Sequence, residues 1–259
     1  MTEPAIACRD LSVSIGGKSI LEDVTLTVCP HDFFAIIGPN GSGKTTLLRA
    51  ILGLVHPRRG SVRIFGAPPR ENRSLLGYVP QFRTFDFSYP VTVMEMVLSG
   101  RLGHITRPLR RYGDDDYDHA LRALEKMEIE SLADRELRAL SGGQQQRAII
   151  ARALAGEPRV LLLDEPTVYV DAPTEKHFFE ILEHLRSEMA IVLVTHDIGA
   201  ISARVTKIAC LNRRIYTHDT AEITEDMLTA AYHCPVDLIA HGVPHRVLKR
   251  HDEEEEPRA

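Results

Sequence analysis

Phe33-Phe34-Ala35-Ile36-Ile37-Gly38-Pro39-Asn40-Gly41-Ser42-Gly43-Lys44-Thr45-Thr46 is the stretch that decides the fold. Phe33–Ile37 is a short, wholly apolar run, which suits a parallel strand buried on both faces. Gly38 to Thr45 match the pattern GxxxxGK[ST]. From Thr45 to Leu54 the spacing is helical, with Leu47, Leu48, Ile51 and Leu54 on one side and Gly53 and Pro57 marking the end. A strand before the loop and a helix after it give the pattern its meaning. The glycines let the backbone curl so that successive N–H groups converge on phosphate oxygens. The helix N-terminus adds a partial positive charge. Lys44 is expected to reach the β- and γ-phosphates, and the Thr45 hydroxyl to ligate Mg²⁺. The expected nucleotide-binding residues are therefore Gly38, Pro39, Asn40, Gly41, Ser42, Gly43, Lys44, Thr45 and Thr46, with ATP and Mg²⁺ as ligands.

A second apolar run, Val160–Leu163, ends in Asp164-Glu165-Pro166. Ligands of parallel sheets bind at the C-terminal edge of the strands, where these two acids are delivered. Successive side chains of a strand diverge, so the pair can divide the labour. Asp164 is expected to support Mg²⁺ and Glu165 to take a proton from the attacking water.

Outward from these segments the chain alternates. Ile6–Ile15 and Ile20–Val28 read as strands with a Gly16-Gly17 turn, and Ser61–Phe65 and Leu76–Val79 are further strands. Thr92 and Glu95 form a capping box that opens a helix through Leu98. Asp114–Asp116 begin another helix, with Leu121, Leu124 and Met127 as its apolar stripe. Residues from about 85 to 150 thus form a helical lobe inserted between strands. Alternation returns with Val160–Leu163, a helix after Pro173, Ile191–Val194 and Lys207–Leu211. The expected class is α/β, a mostly parallel sheet with an N-terminal antiparallel β part and the helical lobe. Residues 1–217 are read as one domain. Residues 218–259 are a C-terminal extension ending in the acidic, solvated run Asp252–Glu256.

Composition excludes several classes. Of 259 residues, 44% are hydrophobic and 26% charged, as in ordinary globular proteins. A formal charge of −5 argues against nucleic acid, whose backbone is held by basic surfaces. No run approaches the ~20 apolar residues of a membrane span. The start, MTEPAIACRD, carries acids and no apolar core, so it does not read as a signal peptide. Cys8, Cys29, Cys210 and Cys234 form no CxxC pair and read as free, buried thiols.

Leu140-Ser141-Gly142-Gly143-Gln144-Gln145-Gln146-Arg147 makes the resemblance specific. Ser141 suits the cap of a helix over Gln144–Ala155, and the two glycines admit close approach of backbone to an anion. The segment resembles the signature of the ABC ATPase superfamily. The resemblance covers roughly residues 5 to 215 and implies a P-loop (RecA-like) core. It further implies that Ser141 and Gly143 face the γ-phosphate held by a second copy, so that two ATP molecules lie in a head-to-tail homodimer. Gln81 resembles the glutamine that senses Mg²⁺ and the attacking water, Asp171 the acid that communicates between sites, and His196 the histidine at the γ-phosphate. The family often has an aromatic residue against adenine where Ile15 stands, and Ile15 offers no π face. Tyr169 takes a place where a small residue is common.

The family also implies an integral membrane permease as partner, indirectly a substrate-binding protein, and a peripheral place at the cytoplasmic face of the inner membrane. Phe82, Phe85, Phe87 and Tyr89 crowd eight residues, which suits either lobe packing or an exposed patch for the permease. Pro90-Val91-Thr92-Val93, Val97-Leu98-Ser99-Gly100-Arg101 and Pro166-Thr167-Val168 are similar to importers of zinc, manganese and chelated iron, the last string favouring the zinc/manganese branch. The alternatives are an importer of chelated iron and a soluble ABC ATPase of an assembly complex. His218, His233, His241, His245 and His251 with Cys234 suit either solvated side chains or a Zn²⁺ site, although Gly242 and Pro244 break any helix between His241 and His245.

Overall fold

The computed structural model describes residues 3–85, 87–105, 111–166, 172–196, 205–218, 238–240 and 243–245; for 83, 172–175, 218, 238–240 and 243–245 it describes the backbone. Strand β1 (Ile6–Ile15) pairs antiparallel with β2 (Lys18–Val28) and β4 (Arg59–Ile64) in the order β2-β1-β4. Gly16 and Gly17, at φ of 57° and 78°, make the two-residue turn whose left-handed backbone matches strand twist.

The main sheet runs β5 (Leu76–Val79), β6 (Val160–Asp164), β7 (Ala190–Thr195), β3 (Phe33–Ile37), β8 (Lys207–Asn212) and β9 (Arg214–His218). Its first five strands are parallel and β9 closes the edge antiparallel to β8. This is the expected α/β sheet, with β9 reaching one residue past the expected boundary at 217. A short antiparallel pair is formed by β10 (Leu238–Ala240) and β11 (Val243–His245), with Pro244 inside β11.

Period-two alternation splits the core into two layers. Phe33, Ala35, Ile37, Leu161, Leu163, Ile191 and Leu193 face the helical lobe and α5 (Ala172–Leu185). Phe34, Ile36, Leu162, Val192 and Val194 face α1 (Lys44–Ile51) and the antiparallel sheet. Both faces of β3 are therefore dry, and burial of each large aliphatic side chain contributes about 1.5–3 kcal/mol. That rigid strand is what holds the glycine loop.

The lobe consists of α2 (Val93–Leu98), α3 (Asp114–Lys126) and α4 (Gly142–Ala155). The Thr92/Glu95 capping box is present, and the Asp116 carboxylate accepts from the Gly113 N–H at 2.9 Å. Arg101, buried at 7% exposure, pins the lobe together. Its guanidinium meets Asp116 at 3.1 Å and Glu157 at 3.6 Å and donates to the Ala155 carbonyl at 3.0 Å.

Four expectations need correcting. Helix α1 ends at Ile51, before the expected Leu54. Gly53, at φ 68°, donates to the Ala50 carbonyl and Leu54 to that of Arg49, a glycine C-cap that turns Leu54 out to 59% exposure. In α3 the buried stripe is Ala120, Ala123, Leu124 and Met127, while Leu121 is 40% exposed. The strand expected over Ser61–Phe65 runs instead from Arg59 to Ile64, since Phe65 turns at φ 42°. Cys8 and Cys210 are buried free thiols as expected, but Cys29 is half-buried, its Sγ 3.9 Å from the Lys207 ammonium. Cys234 lies outside the described residues.

Candidate nucleotide site

The glycine loop is shaped by its neighbours. A Cβ on Gly38 would sit 2.2 Å from the Leu211 carbonyl oxygen. One on Gly43 would sit 2.8 Å from Leu21 and 3.0 Å from the Ile20 carbonyl oxygen, and Gly43 also holds φ 105°. Gly43 is the N-cap of α1, so no side chain occupies the first N–H groups, and no acid stands in the first turn. Helices α2 and α4 differ, their N-termini being closed by capping boxes. Ser42 Oγ is buried without a hydrogen-bond partner among the described residues. Such an atom costs about 1–3 kcal/mol unless something bonds it. An anion at the loop answers both the open N–H groups and the Ser42 hydroxyl.

Lys44 is 5% exposed, and its ammonium donates to the carbonyls of Gly38 at 2.8 Å and Pro39 at 3.0 Å. It also stands 3.6 Å from Glu165 Oε1. Burial pushes the Lys44 pKa down, against the upward pull of Glu165 and Asp164.

Asp164 ends β6 beside the loop. It accepts from Thr45 Oγ1 at 3.3 Å on one oxygen and from Tyr78 Oη at 3.3 Å on the other. Burial pushes the Asp164 carboxyl up, partly offset by those two hydrogen bonds and by Lys44, while Glu165 adds to the rise. Tyr78 is pushed up to about 12, first by burial and then by Asp164. A threonine hydroxyl and a carboxylate are hard oxygen donors of the kind that fit Mg²⁺.

Glu165 follows at φ 49°, a left-handed backbone that costs a non-glycine residue about 1–3 kcal/mol. Its own N–H is tied to the Val194 carbonyl at 2.8 Å. Glu165 Oε1 meets Lys44 on one side and His196 Nδ1, at 3.4 Å, on the other. His196 follows β7, the strand next to β6, and Gln81 follows β5 on the opposite side of β6. Gln81 is half-buried and heads the short turn Phe82–Thr84, its carbonyl accepting from Thr84 Oγ1 at 2.7 Å. The sheet thus gathers Lys44, Thr45, Gln81, Asp164, Glu165 and His196 along one C-terminal edge.

Other expected residues stand apart. Ile15 is 49% exposed at the end of β1. Ser141 caps α4, accepting from the Gln144 N–H at 3.4 Å while the Gln144 side chain accepts from the Ser141 N–H at 3.0 Å. Ser141 and Gly142 are exposed and Gly143 half-exposed. Asp171 and Tyr169 lie outside the described residues, as do His233, Cys234, His241, His251, Asp252–Glu256 and the side chains of His218 and His245. Phe82 stacks on Phe87 at 4.7 Å and, with Phe85, packs against the lobe, whereas Tyr89 is 70% exposed.

Sequence reading missed Tyr78 as a member of the site. The available signal was its place on a strand that leads to Gln81. Its pairing opposite Leu162, two residues before Asp164, required the sheet order.

The family model described as ABC transporter matches residues 21–168. A manganese transport system ATP-binding protein, MntA, of Synechocystis is 39% identical over 83% of this chain and 86% of its own. A zinc import ATP-binding protein, ZnuC, of Cereibacter sphaeroides is 38% identical over 85% of this chain and 84% of its own. A solved metal-chelate type ABC transporter in an inward-facing conformation is similar with TM-score 0.80 and 29% identity, over 93% of this chain and 95% of that one. The nucleotide-binding loop, the carboxylate edge and these similarities lead to one conclusion: the chain belongs to the ABC transporter family, as an ATP-binding subunit.

Proposed function

We propose that this chain hydrolyses ATP to ADP and phosphate and so energises a membrane importer for a divalent metal ion, zinc or manganese. The single observation that carries the hydrolytic part is Glu165 held between Lys44 and His196 beside the Thr45–Asp164 pair. The naming of relatives for manganese and zinc supports the cargo. The metal-chelate transporter keeps an importer of chelated iron as second reading.

In this reading the loop residues Gly38, Pro39, Asn40, Gly41, Ser42 and Gly43, with Thr46, cradle the phosphates through backbone N–H groups and hydroxyls. Lys44 exchanges its loop carbonyls for phosphate oxygens. Mg²⁺, held by Thr45, Asp164 and Gln81, would neutralise phosphate charge when bound. Glu165 takes the proton of the attacking water, and His196 orients that carboxylate and contacts the γ-phosphate. Ser141 and Gly143 complete the site from a second copy, Asp171 links the two sites, and Ile15 packs on adenine. The working unit is then a homodimer on an integral membrane permease, fed indirectly by a substrate-binding protein, at the cytoplasmic face of the inner membrane. Among the described residues no helix is long and apolar enough to cross a membrane, which suits a peripheral subunit. The domain unit is 1–217, with 218–259 as its extension.

The test is Glu165→Gln. The amide keeps the shape but accepts no proton, so turnover should fall about 10²–10⁴-fold while ATP binding persists. Near-normal hydrolysis by the variant removes Glu165 from the role of base. For the cargo, a deletion strain rescued by zinc or manganese supports the proposal; rescue by chelated iron alone supports the second reading.

A further inference from the structure

Tyr78 stands on β5 opposite Leu162 of β6, and Asp164 follows Leu162 by two residues, on the same face of the sheet. Tyr78 and Leu162 belong to the apolar layer that faces α1. Two residues of strand span about 6.6 Å, which is also the reach of a phenol hydroxyl from its own Cα. Leu76 lies two residues further back, and Gly77 and Val79 fall on the other face. On β5, Tyr78 alone can keep its ring in the core and set its hydroxyl on the Asp164 carboxylate.

Asp164 is 1% exposed, so its oxygens take partners from the chain, and they take different ones. Oδ2 accepts from Tyr78 Oη at 3.3 Å, and Oδ1 accepts from Thr45 Oγ1 at 3.3 Å. A carboxylate left to itself has two equivalent oxygens and a soft terminal torsion. Tyr78 holds one oxygen and so commits the other to α1. The consequence reaches Thr45. Its one hydroxyl proton lies on Asp164 Oδ1, so the lone pairs of Oγ1 are what it offers to anything else. A phenol suits this place because it donates one hydrogen bond and carries no charge. A lysine or arginine there would compete with a cation for the carboxylate, and a phenylalanine would leave Oδ2 buried without that donor.

We propose, resting on the reading of Thr45 and Asp164 as Mg²⁺ residues, that Tyr78 is a positioning residue for that cation. Through the chain Tyr78–Asp164–Thr45 it fixes which way the Thr45 hydroxyl faces, without touching nucleotide or metal itself. Outer partners of this kind contribute about 10–100-fold to the affinity of a metal site. Such a role leaves the phosphate cradle, built from the glycine loop and Lys44, independent of Tyr78.

The experiment is equilibrium titration of the full chain with AMP-PNP, an ATP analogue that is not hydrolysed, first in EDTA and then in saturating Mg²⁺. The ratio of the two affinities is the gain that the cation brings. Tyr78→Phe keeps the ring and removes the donor. Its affinity in EDTA should stay within about 2-fold of wild type, which also reports a folded site, while the gain falls about 10-fold. Tyr78→Met, which fills apolar space without a donor, should lose the gain in the same way, and a full gain in that variant overturns the proposal. Thr45→Ala is titrated beside them. A gain lost in Thr45→Ala but kept in Tyr78→Phe overturns the role of Tyr78 and leaves the Mg²⁺ reading standing. A gain kept in both variants, or absent from wild type, overturns that reading and the role of Tyr78 with it. Weaker binding of Tyr78→Phe in EDTA at an unchanged gain makes the phenol a general support of the site, and that too overturns the proposal.

Discussion

The edge of the main sheet and the N-terminus of α4, which carry two halves of the chemistry in the proposed function, are built in opposite ways. At the sheet edge, Asp164 is 1% exposed and Lys44 5%, and the charged groups Lys44, Asp164 and Glu165 have partners inside the chain. At α4, Ser141 and Gly142 are exposed, and Ser141 bonds Gln144 of its own cap. The charged part of the first region is finished by folding, while Ser42 Oγ and the first N–H groups of α1 stay open for an anion. The second is preorganised but presents its glycines to solvent, which is how a surface awaiting another molecule looks. The chain thus has one face whose charges are paired within it and one whose glycines meet solvent.

The sharpest way to break this contrast is at Ser141. Ser141→Arg should leave nucleotide binding to the isolated chain unchanged, because no sheet-edge residue is touched. Hydrolysis should fall by about 10²-fold or more, the scale of losing a positioned donor to developing phosphate charge. Mixing it with Lys44→Ala chains creates heterodimers with one intact composite site, and partial ATPase activity should return. Equal loss of nucleotide binding in isolated Ser141→Arg chains would place α4 within the same chain's site and erase the contrast.

This division also explains what was legible in the sequence. Strand β3, the loop and β6 announce themselves because a strand dry on both faces must be uniformly apolar, and because Gly38 and Gly43 permit nothing larger. The α4 cap was legible from Ser141, though the helix begins at Gly142, two residues before the expected Gln144, and the Gln144 half of the capping box was not read. Tyr78 was not legible, since its role arises from β5 lying beside β6, a pairing between residues far apart in the chain. The left-handed turn at Glu165 was hidden too, because glutamate carries no preference for it. Leu54 and Leu121 misled because periodicity counts apolar residues but does not see where a glycine cap or a smaller alanine takes the buried place.

A second test asks what the finished face costs. Burial raises the folded-state pKa of Asp164 above its unfolded value. The group's contribution to stability is therefore fully present below the unfolded pKa and lost as pH rises through the folded pKa. At neutral pH the ionised, buried carboxylate destabilises the nucleotide-free chain. Asp164→Asn keeps an oxygen for Thr45 and removes the charge. Its Tm without nucleotide should rise by about 2–4 °C, the change that about 1 kcal/mol makes in a domain of this size. The gain over wild type should shrink as pH falls through the raised folded-state pKa, where the wild-type carboxyl takes up its proton. Lower Tm in Asp164→Asn at neutral pH would mean that the partners of Asp164 more than offset its burial, and that the edge is built for stability as well.

The smallest effect belongs to Ile15, which sits between the two regimes. It lies on the N-terminal sheet next to the Gly16-Gly17 turn, and half of its surface is open, so it is placed like α4 to meet something outside the chain. An aliphatic side chain there can cover a base but has no quadrupole with which to stack. Ile15→Tyr adds an aromatic face at an exposed position where no core packing resists the larger ring. A stack of that kind is worth about 0.5–1.5 kcal/mol, so affinity for ATP should improve several-fold, with a sharper preference over nucleotides of smaller base. Equilibrium titration of wild type and variant with ATP and CTP reads both quantities. Unchanged affinity for both would show that Ile15 does not meet the base, and would leave the β1–β2 turn outside the nucleotide site.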